Sequence, residues 1–320
     1  MATDKGKHLD CVLYSHKIKK EQSLLDKHIA KKNEIKEELQ QKYGSDMYDP
    51  FNTGSYAKHS AINTKFDFDL AVPFKRSAFD TLKNMYEAVY DFLYEKYKDK
   101  ATVKKQKVSI GLEFFADSDG DIVKVDVVPG RELNKDQYKE DENINLYVYS
   151  QYGSISAGSD RIKTNPKAQI ANIKDHADKD DVRHNIKLLK IWKVQNNGKA
   201  KSFFIELITI KAFDSKDIIG NKWEQLKTVM EYIRDNVKTI ALPDPGNSNN
   251  DLADTLTDAE KTMLSNDMKN MIERIEENSD NIKLYFKINE KHPCEEKKQE
   301  ENRYGTKSAG VSAPPVTRFG

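Results

Sequence analysis

The sequence predicts an α+β fold, a mixed sheet with flanking helices packed against a helical second half. Strand-like apolar runs at residues 67–74, 103–115 and 122–128 are interrupted by a helical pattern at 77–98, in which Leu82, Met85, Val89 and Phe92 share one side. Beyond residue 146 the composition turns from strand-like to helical, with candidate helices at 181–194, 202–212, 222–237 and 257–277. A chain of 320 residues is long enough to give two such parts a core each. The expected division is a sheet-bearing unit at 1–150 with a long N-terminal helix, a helical unit at 151–294 and a flexible tail at 295–320.

The elements follow in order. Residues 15–42 are heavily charged, but Leu24, Leu25, Ile29, Ile35 and Leu39 recur at helical spacing, which predicts one long amphipathic helix. Tyr48-Asp49-Pro50 ends it, and residues 51–53 lead into Gly54-Ser55, followed by a short helix at 56–62. A polar turn at 116–121 joins the second and third strands. Its alternating aspartates invite a calcium reading. An EF-hand loop starting at Asp117 needs Gly at position 122 and Glu at 128, where Ile122 and Val128 stand, so calcium is not expected. The helix at 257–277 opens on a capping box, Thr257 with Glu260, and residues 242–250 read as a loop.

Composition excludes several classes. Lys+Arg 53 against Asp+Glu 52 leaves a net charge of +1, which gives no whole-molecule signal for a nucleic-acid partner. No apolar run reaches membrane-spanning length, and the first residues lack the apolar segment of a signal peptide. Cys11 and Cys294 are the only cysteines, so free thiols in a reducing cytoplasm are the expectation, and His292 with Cys294 supplies too few ligands for zinc. The predicted location is cytoplasmic.

The chemistry concentrates in three short stretches. In extended backbone Asp67 and Asp69 project from one face, and Asp126 lies within an otherwise apolar strand. A carboxylate in such a strand costs several kcal/mol of desolvation unless a cation or hydrogen bonds compensate it. Three convergent carboxylates are hard oxygen ligands suited to Mg²⁺, with Mn²⁺ as the alternative, when phosphates complete the shell. Gly54-Ser55 is suited to holding those phosphates through backbone N–H groups and a hydroxyl. A two-ion arrangement follows: one ion on all three aspartates activates an attacking hydroxyl, and a second on Asp67 and Asp69 holds the triphosphate.

The order Thr53-Gly54-Ser55-Tyr56-Ala57, Asp67-Phe68-Asp69 and Val125-Asp126-Val127-Val128-Pro129 resembles the polymerase-β-type nucleotidyltransferase superfamily. More narrowly it resembles the cGAS/DncV-like nucleotidyltransferases (CD-NTases). Residues 186–193, 202–207, Asp244-Pro245 and Asn249-Asn250 agree, so the resemblance spans most of 50–255, with Phe68 standing where an aliphatic residue is commoner. It implies a polymerase-β-like core packed on a C-terminal helical domain in an oligoadenylate-synthetase-like bilobal arrangement. It also implies that Asp67, Asp69 and Asp126 are catalytic and metal-binding, while Gly54, Ser55, Lys190 and Ser202 bind nucleotide.

The activity implied is synthesis of a cyclic di- or trinucleotide from NTPs, ATP among them, with release of pyrophosphate. The product would act on a downstream effector in bacterial anti-phage signalling (CBASS). Two alternatives stay open at this point: a nucleotidyltransferase that modifies RNA ends, a small molecule or a protein, and a non-catalytic nucleotide-binding scaffold. The cysteine count is too low for the zinc insertion of DNA-sensing animal relatives, so direct DNA binding is not expected. Some members of the family are joined to targets through their C-terminus by an E1/E2-like partner, which makes Gly320 a candidate conjugation point beside the plain alternative of an inert tail.

Overall fold

A computed structural model describes residues 2–64, 66–150 and 160–294. The tail at 295–320, with Gly320, lies outside the described residues. In chain order the elements begin with helix α1 (Lys5–Ser15), helix α2 (Gln22–Tyr43), strand β1 (Phe51–Thr53), the one-turn helix α3 (Gly54–Ala57), strand β2 (Phe68–Phe74) and helix α4 (Leu82–Tyr97). Strands β3 (Ala101–Lys105), β4 (Ile110–Phe114) and β5 (Lys124–Glu132) follow, then α5 (Tyr138–Asp141), β6 (Ile144–Tyr147) and β7 (Arg161–Thr164). The helical half comprises α6 (Pro166–Lys174), α7 (Lys179–Gln195), α8 (Ser202–Ser215) and α9 (Lys222–Asn236). A small hairpin, β8 (Pro243–Asp244) and β9 (Asn247–Asp251), precedes α10 (Asp258–Glu277) and α11 (Ile282–Tyr285).

The sheet is mixed. Its path runs β1-β2-β5-β4-β3, and β6 pairs the far end of β5 and carries β7. β2 and β5 are parallel neighbours, while every other pairing in that sheet is antiparallel. Helices α2 and α4 bury Leu25, Ile35 and Leu39 and Met85, Tyr86, Val89 and Leu93 with the apolar side chains of β2, β4 and β5. A second core gathers α7, α8, α9 and α10 around Trp192, Phe204, Trp223 and Met268. Leu9, Val12 and Leu13 of α1 belong to this helical core although they open the chain.

Several boundaries differ from the sequence reading. The long helix expected over 15–42 begins only at Gln22, after a turn at His16 and Lys17 and a short 3₁₀ segment, and a separate helix at Lys5–Ser15 precedes it that the sequence reading did not include. The strand expected over 103–115 is a hairpin. Gln106 N donates to Ser109 O (2.9 Å), and the buried Tyr86 hydroxyl lies 2.9 and 2.8 Å from the Gln106 and Ser109 carbonyls. A tyrosine hydroxyl contributed by α4, not a Gly or Pro, thus closes this turn. The loop at 242–250 contains the β8–β9 hairpin, held by Asp244, which accepts from Gly246 N (2.8 Å) and Gln169 Nε2 (2.9 Å). The capping box at Thr257 and Glu260 forms as read.

The expectation of two free thiols is corrected: Cys11 of α1 and Cys294 are disulfide-bonded, with Cα atoms 5.3 Å apart. Sequence spacing gave no hint of this, because the segment after α11 returns to the start of the chain. Asn289 N donates to Ser15 Oγ (3.0 Å), and His292 Nε2 lies 2.7 Å from Glu21 Oε1, which brings Cys294 over α1. The alternating aspartates of the β4–β5 turn are engaged by one ammonium group: Lys27 Nζ stands 2.7, 2.6 and 2.7 Å from Asp117, Asp119 and Asp121. Among the described residues no helix is long and apolar enough to cross a membrane.

Candidate active site

Strand register sets two of the three aspartates side by side. Asp69 on β2 is the direct parallel partner of Asp126 on β5, so both side chains leave the sheet on one face. Asp67 precedes the first residue of β2 and is exposed, while Phe68 between the two aspartates is fully buried. Phe66 and Phe68 both pack on His28 of α2, with ring centroids 4.9 and 5.4 Å away, which anchors the backbone on either side of Asp67.

Gly54 covers Asp69. Its φ of +62° lies in the left-handed region, and a Cβ there would overlap Asp69 Oδ2. The one-turn helix begins at Gly54, two residues earlier than the sequence reading placed it, and ends at Ala57. The chain then tightens, with Ser60 N donating to Ser55 O (2.9 Å), and this places Lys58 and Ser60 beneath the turn. Together these elements edge a cleft of about 290 Å³. Gly54, Ser55, Asp67 and Asp69 line one side, and Lys190, Lys193, Ser202 and Glu206 line the other.

The helical wall carries its own charge cluster. Glu206 Oε1 accepts from Lys190 Nζ (2.6 Å) and Ser60 Oγ (3.1 Å), and Oε2 accepts from Lys58 Nζ (2.8 Å). Burial pushes the Glu206 carboxyl up, but the Lys58 and Lys190 ammonium groups outweigh it and hold the group at about 2. Closer to solvent, Lys193 Nζ donates to Ser202 Oγ (2.7 Å) at the start of α8. Lys187, three residues before Lys190, sits outside the cleft lining and is half-buried. Burial, and then the charges of Arg183, Lys17 and Lys190, depress its pKa.

The carboxylates repel one another. Burial first, then the charges of Asp67 and Asp126, raise Asp69 from 3.8 to about 7. Burial and Asp67 also raise Asp126, against a hydrogen bond from Gln106 Nε2 to Asp126 Oδ1 (3.1 Å). An anionic set held together at this cost fits a divalent cation, and the donors are all hard oxygens. The cleft lining thus gathers Asp67, Asp69, Gly54, Ser55, Lys190 and Ser202, while Asp126 stands beside Asp69 in the sheet and is not part of that lining. Four polar members of the cleft lining escaped the sequence reading: Lys58, Ser60, Lys193 and Glu206. Glu206 had a legible signal, a lone carboxylate in the apolar run Phe203-Phe204-Ile205-Glu206-Leu207-Ile208. Lys58 and Ser60 had none, since each stands in an ordinary polar segment.

The fold of most of this chain has counterparts among solved structures. CdnC of E. coli MS115-1 with ATP superposes with a TM-score of 0.64 at 20% identity, covering 85% of this chain and 91% of that one. The CD-NTase CdnG of Bradyrhizobium diazoefficiens with GTP gives 0.64 at 12% identity, covering 87% and 95%. The cyclic AMP-GMP synthase DncV of Vibrio cholerae with nonhydrolyzable GTP gives 0.60 at 13%, covering 74% and 68%. This chain has the CD-NTase fold. No protein-family model and no curated protein matches the sequence. The CD-NTase fold accounts for the bilobal arrangement, with the mixed sheet carrying the aspartates and the helical lobe carrying Lys190 and Ser202.

Proposed function

We propose that this chain is a nucleotidyltransferase that joins NTPs into a cyclic di- or trinucleotide and releases pyrophosphate, as the signal-producing enzyme of an anti-phage system. The observation that carries the proposal is the register pair Asp69–Asp126, with Asp69 and Asp67 lining a cleft whose opposite wall offers lysine and serine side chains. The solved structures of this fold that hold ATP or GTP support the same substrate class.

Asp67, Asp69 and Asp126 would hold Mg²⁺, which when bound neutralises phosphate charge and acidifies a ribose hydroxyl. Ser55 at the helical turn and Ser202 with Lys193 on the opposite wall offer donors to phosphate oxygens from two sides. Gly54 lets the backbone lie directly against Asp69, so the phosphate chain and the carboxylates share one small volume. Positioning of this kind supplies much of the catalysis in phosphoryl-group chemistry, because little covalent work is left to the protein.

The test is incubation with all four NTPs and Mg²⁺, followed by phosphatase treatment and mass spectrometry. A phosphatase-resistant cyclic product that the Asp67→Asn/Asp69→Asn double variant does not make is the expected result. Labelling of added RNA or another acceptor, with no product from NTPs alone, would replace the proposal with a modifying transferase.

A further inference from the structure

We propose that Gln106 is a positioning residue for Asp126: it engages one carboxylate oxygen so that the other is presented to the cation shared with Asp69. The inference rests on the reading of Asp67, Asp69 and Asp126 as the metal-binding set. Gln106 sits where β3 turns into β4, and its Nε2 donates to Asp126 Oδ1 at 3.1 Å. Its orientation is determined. A carboxylate only accepts hydrogen bonds, so the amide nitrogen must face Asp126, and the amide oxygen accepts from Ser109 Oγ at 2.8 Å.

The backbone around this amide is equally fixed. Gln106 N donates to Ser109 O (2.9 Å), and the one O–H of the buried Tyr86 lies within hydrogen-bond reach of the carbonyls of both residues. Room for the amide comes from Gly111, the β4 residue directly paired with Asp126. A Cβ at Gly111 would overlap Gln106 Nε2 and stand 3.2 Å from Asp126 Oδ1. Turn, tyrosine, serine and glycine thus converge on a single hydrogen bond to the third aspartate. A carboxylate left to rotate would divide its time among orientations, whereas one held at Oδ1 keeps a ligand oxygen in place before the ion arrives.

The test uses Gln106→Met, which keeps length and loses the donor, and Gly111→Ala, which crowds the amide from the other side. Mn²⁺ binding is followed by the electron paramagnetic resonance signal of the free ion, with a nonhydrolysable ATP analogue present. Melting temperature and steady-state kinetics are measured beside it. Both variants should bind Mn²⁺ about tenfold more weakly and lose about tenfold in kcat with KM for NTP unchanged, the scale of one charge-assisted hydrogen bond. Their melting temperatures without metal should stay near native. Ser109→Ala should move the same quantities in the same direction by less. Native Mn²⁺ affinity and kcat in Gln106→Met, or a lowered melting temperature with native Mn²⁺ affinity, would overturn the role. Should Gln106→Met fail to fold, Gly111→Ala decides on the same readouts. Asp126→Asn separates the two readings: if it binds Mn²⁺ and turns over normally, the carboxylate set itself is misread and this inference falls with it.

Discussion

Lys190 Nζ lies 2.6 Å from Glu206 Oε1, with the two side chains only 6% and 4% exposed, so the lysine of the helical wall meets the cleft already paired. Lys58 completes the pair from the other lobe, 2.8 Å from Glu206 Oε2. One carboxylate therefore ties together α7, α8 and the segment that follows the Gly-Ser turn. It gives two buried lysine side chains a shared carboxylate partner.

Replacing Lys190 by Ala removes one cation from this triad and leaves Glu206 with Lys58 and Ser60. Breaking a buried pair from one side costs about 3 kcal/mol, at the lower end here because a second ammonium remains. Chemical denaturation without nucleotide should show that loss, and nucleotide affinity should fall as well. A fold of native stability with weakened nucleotide binding would mean that the pair contributes nothing to joining the lobes.

Glu206 also sets an acid dependence. Its folded-state pKa, about 2, lies below the ordinary 4.5, so the stabilisation is fully present above pH 4.5 and is lost as pH falls towards 2. The difference corresponds to roughly 3 kcal/mol at neutral pH. Glu206→Gln should be less stable than the native chain at pH 7, and the gap should narrow below pH 4. Denaturant midpoints across that range provide the check. A gap that stays constant with pH would show that Glu206 acts through packing and not through charge.

The sheet-borne part of the site was legible for a physical reason. Period-two geometry fixes which residues share a face, and a carboxylate in an apolar strand stands out against its neighbours. Asp67, Asp69 and Asp126 are of this kind. The full ion cluster around Glu206 was not legible, because Lys58 reaches Glu206 across 148 residues of chain. The turn between α1 and α2 and the hairpin at Gln106 were hidden similarly, since neither turn carries a glycine or proline. Gln106 itself is an ordinary polar residue until the fold sets it against Asp126.

Asp69 offers a prediction with the opposite sign. Its folded-state pKa is raised from 3.8 to about 7, so between those values the native state binds more protons than the unfolded chain. The metal-free fold should therefore lose stability as pH rises from about 4 to 7, with the full cost present above 7. Asp69→Asn removes that cost and should be more stable than the native chain at pH 8 in EDTA, by on the order of 2–4 kcal/mol. With Mg²⁺ and a nonhydrolysable nucleotide the order should reverse, since only the native chain gains from the ligands. Thermal melting with and without metal checks both halves, and a destabilised Asp69→Asn variant in EDTA would contradict the repulsion argument.

The Cys11–Cys294 bridge closes a loop across a sequence separation of 283 residues, nearly the whole described chain. It fastens the segment after α11 to α1, beside the hydrogen bonds from Asn289 to Ser15 and from Asn289 Nδ2 to Asn63 Oδ1 (3.2 Å). Asn63 in turn donates to Ser15 O (2.9 Å) and lies four residues before Asp67. The bridge therefore braces a segment that leads directly into the carboxylate set. Cross-linking across a long loop stabilises by about 2–4 kcal/mol, chiefly through the unfolded chain. In oxidised protein, thiol titration should find no reactive cysteine, and a reductant should release two per chain. Cys11→Ser should melt at a lower temperature than the oxidised native chain and match the reduced one. Two free thiols in protein purified and held without reductant, or equal melting of the variant and the oxidised chain, would show that the bridge does not contribute to the folded state.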